Sequence, residues 1–154
     1  MTEESTLTER EAHRKFAVDL FNQTWTLLDK AERTLEENDA MLHAAHASRH
    51  HWGVVGEPVH LARGEWQVSR VYAVLNRSEP ALYHARRSLD ICRAHAIGDF
   101  DLAYAYEALA HASAVAGMQA DRDRYLALAR EAGAKIAEQD DREIFENDIA
   151  TIPT

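Results

Sequence analysis

The stretch LARGEWQVSRVYAVLNRSEPALYHARRSLDICR, residues 61–93, decides the fold. Leu61, Val68 and Leu75 fall on one line of a helix, with Gly64, Val71 and Tyr72 beside it. Val59, Ala62, Trp66 and Ala73 form a second apolar line on nearly the opposite side, leaving His60, Arg63, Gln67 and Arg70 as a narrow polar stripe. A helix apolar on two faces is packed between neighbours, as in a layered helical array. Pro58 suits its first turn, where a missing N–H is harmless. Asn76-Arg77-Ser78 makes a tight turn, Ser78 is placed to cap the next helix, and Pro80 is tolerated in that helix's first turn. The second helix then presents Ala81, Ala85, Ser88, Leu89, Cys92 and Ala96, mostly small, so its neighbour can approach closely.

Read outward, the pattern recurs. A shift of 41 residues aligns Leu20, Leu61 and Leu102, puts Trp25 on Trp66, and lays Ala40 and Ala44 on Ala81 and Ala85. It also aligns Gly117 with Asn76, while Glu107 and Arg122 break the pattern where Trp66 and Ala81 stand. The unit resembles a tetratricopeptide repeat: Trp66, Ser69 and Tyr72 in a first helix, a turn, then Ala81, Ala85 and Ser88 in a second. That family's usual unit is 34 residues, and the extra length here fits longer helices and the loops Gly53–Glu57 and Ile97–Asp101. The resemblance covers about residues 10–138 and implies an all-α fold. Three antiparallel helix pairs, about 8–52, 58–97 and 99–138, would stack as a short right-handed α-solenoid, closed by a capping helix near 140–150.

The rest of the chain agrees. Its 154 residues suit one domain over 8–154, with residues 1–7 expected to be disordered. The 27 alanines against six glycines and three prolines favour helix throughout. Thr8 and Glu11 form a capping box for helix 1, expected to run to about Glu36 with Phe16, Leu20, Phe21, Thr24, Leu27, Leu28, Ala31 and Leu35 on a buried face. Asn38 or Asp39 would start helix 2, which ends near Trp52. Asp99 would cap helix 5, which runs to Ala116, and helix 6 would cover Ala120 to Glu138. Asp140 and Glu143 would cap helix 7, which offers Ile144, Phe145 and Ile149 to cover the open end. The single cysteine and a polar first 15 residues suggest a reducing cytoplasm and no signal peptide. A formal charge of −9 argues against nucleic acid and anionic membrane as partners, although residues 58–97 carry six arginines against three acids.

Three places offer chemistry. In the resembled family the first helix of each pair lines a concave surface, which here implies Asn22, Trp25 and Asp29, then Arg63, Trp66 and Arg70, then Tyr104, Glu107 and His111. Arg63 and Arg70 share a stripe, and two arginines beside two tryptophans suit a small carboxylate ligand or a peptide. Alternatively the tryptophans are core and the arginines pair with Asp101 or Glu107. The second place is a histidine line on helix 2, His43, His46 and His50, beside Asp39. His43 and His50 stand about 10 Å apart along the axis, too far to share one ion at ligand distances near 2 Å. A pair such as His46 and His50, joined by Glu107 and His111 of helix 5, would make a divalent-metal site for a small metal-dependent or His-assisted enzyme. Otherwise the line is a solvated face. HExxH, CxxC and glycine-rich phosphate loops are absent. The third is Glu65, near a buried side, whose pKa would rise unless it is paired. The expected function is non-catalytic binding of a peptide, protein or small carboxylate, without cofactor, with a homodimer as a means of covering exposed ends.

Overall fold

The computed structural model describes Glu4 and residues 6–154. The expectation of disorder for residues 1–7 therefore lies mostly outside the described residues. Among those described there are seven helices and no strand: α1 Glu9–Leu28, α2 Leu35–Val55, α3 Pro58–Val74, α4 Ser78–Ala94, α5 Asp99–Val115, α6 Gln119–Gly133 and α7 Gln139–Ala150. Consecutive helices pack as hairpins, α1 on α2, α3 on α4 and α5 on α6, and α3 and α4 both pack on α5.

The hairpin turns follow from backbone conformation. Asn76 (φ 60°) and Gly117 (φ 73°) adopt the left-handed region that closes a helix, as their alignment implies. Arg77 N–H reaches Tyr72 O at 2.9 Å and Met118 N–H reaches Ser113 O at 2.9 Å. Ala96 (φ 51°) closes α4 the same way, Ile97 N–H bonding Cys92 O at 2.9 Å.

The first pair departs from expectation. α1 stops at Leu28, because Arg33 folds back to bond the carbonyls of Leu27 (3.3 Å) and Lys30 (3.1 Å). α2 then starts at a capping box of Thr34 and Glu37, not at Asn38 or Asp39, and runs on to Val55 through the stretch read as loop. Consequently Phe16 and Leu35 are exposed and Ala31 lies in the turn. Smaller shifts occur elsewhere. Arg77, not Ser78, is the N-cap of α4; Gly98, not Asp99, precedes α5; and α6 ends at Gly133, not Glu138. Helix α7 begins after Glu138 with no side-chain cap, Glu143 instead accepting from Gln139 (3.1 Å).

Small residues set the packing. Ala103, Ala105, Ala108, Ala110 and Ala112 are all buried on α5, which lets α3, α4 and α6 close on it from several sides. At Gly64 an added Cβ would meet the Arg49 side chain, so the glycine lets that arginine cross α3. Gly133 does the same for Phe145, which is buried against Tyr104 and anchors α7. Phe145 and Ile149 are buried as expected of a covering helix, but Ile144 is exposed. Gln67, read as part of the polar stripe, is fully buried; its amide donates to Phe21 O (3.0 Å) and ties α3 to α1.

Candidate functional site

The first helices of the three hairpins face a common hollow of about 680 Å³, with α7 along its far side. Its wall is a run of aromatic rings contributed by successive hairpins. Trp25 of α1 lies 5.5 Å from Trp66 of α3, centroid to centroid, and Trp66 lies 5.5 Å from Tyr104 of α5. Phe21 extends the run at one end and Phe100, 4.5 Å from Tyr104, at the other. The rings of Trp25 and Trp66 are half-buried: they pack together and still face the hollow. Asn22 borders a smaller hollow of about 130 Å³ that shares Phe21 and Arg63 with the larger one, so the groove continues along α1 and α3.

Of the expected groove residues, the structure brings Trp25, Arg63, Trp66 and Tyr104 to the hollow itself. Half-buried Arg70 joins the buried Glu107 and His111 in a cluster beside it. Glu107, 1% exposed, accepts the Trp66 indole N–H (3.0 Å) and an Arg70 N–H (3.3 Å). Arg70 also donates to His111 Nδ1 at 2.6 Å. The repeat offset explains this cluster: Glu107 occupies the position equivalent to Trp66 one unit on, and the break in the pattern is what binds the tryptophan.

Both arginines are taken up by carboxylates of α5. Arg63 grips Asp101 with two parallel bonds, 2.8 and 3.1 Å, which raise its own pKa. Tyr104 donates to Asp148 of α7 at 2.5 Å; burial, and then that bond, hold its phenol protonated far above the usual range. Asp99 accepts from the N–H groups of Phe100 (2.7 Å) and Ala137 (3.1 Å), joining the start of α5 to the α6–α7 link. Asp141 lines the hollow with no hydrogen-bond or ion-pair partner among the described residues. Phe21, Phe100, Asp141 and Asp148 were not read as site residues. Asp141 and Asp148 are seven apart on α7, the same spacing that groups Arg63 with Arg70, and that signal was available.

The histidine line is dispersed. His43 and His50 are exposed, while His46 is half-buried and shares a hydrogen bond with Tyr72 (2.8 Å). Burial, then the neighbouring His84, lowers the pKa of His46. Helix α3 stands between α2 and α5, so His46 and His50 are not brought together with Glu107 and His111. Among the described residues no group of three or more His, Cys, Asp or Glu side chains is arranged to hold a metal ion. Glu65 is paired, by Arg49 (3.0 Å) and His84 (2.6 Å). Burial alone would raise its pKa, but the His84 and Arg49 contacts outweigh it and hold the carboxyl below its ordinary value. Cys92 is buried, and burial, with Asp101 nearby, pushes its thiol up to about 11, which leaves little thiolate at neutral pH.

No described helix is long and apolar enough to cross a membrane. No protein-family model, no curated protein and no solved structure matches the chain significantly. What fold and site define together is an all-α protein of packed helical hairpins with an aromatic hollow.

Proposed function

We propose that this chain is a non-catalytic binding module of tetratricopeptide-repeat type, a short right-handed solenoid closed by α7, that holds a peptide or small ligand in its hollow. The observation that carries the reading is the aromatic run: Trp25, Trp66 and Tyr104 come from three successive first helices and line one cavity. A cavity of this size, mostly apolar with a few convergent polar groups, is the usual form of a ligand site. A reducing, cytoplasmic setting remains part of this reading on the cysteine count alone, one in 154 residues. A carboxylate as the recognised group draws no support from Arg63, whose fork Asp101 fills. A metal-assisted enzyme between α2 and α5 draws none either, since α3 separates its ligands.

The test is a screen of blocked tripeptides and small ring compounds, acidic, basic and neutral, followed in ¹H–¹⁵N spectra. Binders are expected to shift the indole N–H signals of Trp25 and Trp66. Binders confined to α4 and α6, or none from any chemical class, would overturn the reading.

A further inference from the structure

The charges around the hollow are unequal. Asp99, Asp101, Asp141 and Asp148 border it, and Arg63 is the one cationic side chain that does so among the described residues. Arg63 is matched to Asp101. Asp148 is met by the neutral phenol of Tyr104, Asp99 by two backbone N–H groups, and Asp141 by no hydrogen-bond or ion-pair partner among the described residues. Asp99 and Asp101 also sit in the first turn of α5, where they offset the positive end of that helix, which would otherwise favour an anion. Helix α7 strengthens the bias: beyond Asp141 and Asp148 on the hollow it carries Asp140, Glu143 and Glu146 elsewhere on its surface, against Arg142, which bonds Ile136 O (2.8 Å). The same hollow is lined by Trp25 and Trp66, whose rings lie 5.5 Å apart. An aromatic face attracts a cation through its quadrupole, more strongly where water is excluded, and attracts an anion not at all.

We propose that the hollow selects an organic cation, an alkylated ammonium or a guanidinium on an apolar body, seated between the Trp25–Trp66 rings and the Asp141–Asp148 edge of α7. This rests on the binding reading above and names the chemistry of the ligand. The cation comes either as a free small molecule or as an arginine or lysine side chain of a peptide. In the second case the peptide continues into the smaller hollow between Asn22, Trp52 and His60.

The experiment is a titration of the full chain, followed by the indole N–H signals of Trp25 and Trp66, with three probes: benzyltrimethylammonium, blocked Gly-Arg-Gly, and benzoate. Both cations are expected to bind and benzoate to leave the signals in place. A peptide that binds about tenfold tighter than benzyltrimethylammonium assigns the cation to a peptide; equal affinities assign it to a small molecule. The double variant Asp141→Asn, Asp148→Asn is expected to weaken cation binding about tenfold and to retain the thermal transition. If it fails to fold, Asp141→Asn alone, at a position without a partner among the described residues, is read in its place. Benzoate binding as well as the cations, or cation affinity unchanged in the variants, overturns the cation assignment while leaving the groove reading intact. Silence toward all three probes also overturns the cation assignment, and the broader screen above then decides whether the groove binds anything.

Discussion

Arg63 and Arg70 share one stripe of α3, and each meets a carboxylate of α5, but the two pairs differ in what surrounds them. Asp101 keeps 13% of its side chain exposed beside a half-exposed Arg63, whereas Glu107 keeps 2%. Water screens the first pair, and losing the arginine costs about 1 kcal/mol or less. Removing Arg70 leaves Glu107 buried with the Trp66 indole as its hydrogen-bond donor and His111 Nδ1 3.7 Å away, and breaking a buried pair costs about 3 kcal/mol. Urea unfolding is expected to show Arg70→Ala far less stable than Arg63→Ala, with Glu107→Gln recovering part of the loss. Equal midpoints for the two arginine variants would contradict this assignment. The difference was invisible in the sequence, where both arginines shared one stripe. Only the α5 register shows that one faces a helix start and the other a helix interior.

At the scale of elements, the chain was most readable where local chemistry and packing agree. The α3–α4 hairpin lies where the sequence places it, apart from the Arg77 cap and the buried Gln67, because Pro58, the left-handed Asn76 and two apolar lines all point to one arrangement. The first hairpin was misread because the apolar line through Leu27, Leu28, Ala31 and Leu35 continues past the true break. The Thr34 and Glu37 capping box, with Arg33 folding back on the Leu27 and Lys30 carbonyls, overrides that periodicity. Helix α7 was found from its spacing, but what docks it, the Gly133 gap that admits Phe145, needed coordinates. A Cβ at Gly133 would overlap the Phe145 ring, so Gly133→Ala is expected to release α7 while the three hairpins persist. Hydrogen exchange would report this as lost protection confined to 139–150. Unchanged protection there would mean that Phe145 does not hold the helix in place.

For the molecule as a whole, the buried polar groups give stability a direction with pH. His46, His51 and His60 all have lowered pKa values, chiefly through burial, so the folded chain takes up protons less readily than the unfolded one. Their contribution is complete above the ordinary histidine pKa near 6.5 and is lost as pH falls below it toward the folded values. Glu65, also lowered, adds a further loss as pH falls below about 4.5. The urea midpoint is therefore expected to fall between pH 7.5 and pH 5.5, and His46→Gln to reduce that slope. A midpoint that rises on acidification would mean that these histidines gain carboxylate partners in the fold. The candidate site was half legible at this scale. The repeat offset located Trp25, Trp66 and Tyr104, but the acidic wall comes from α7, which lies outside the repeat.

All of this depends on three hairpins placing their first helices around one hollow. The direct measurement is a nuclear Overhauser spectrum of the assigned aromatic protons. Ring centroids 5.5 Å apart predict cross-peaks from Trp25 to Trp66 and from Trp66 to Tyr104. If Trp25 shows no contact with Trp66, α1 does not share a hollow with α3, and the binding site described here does not exist.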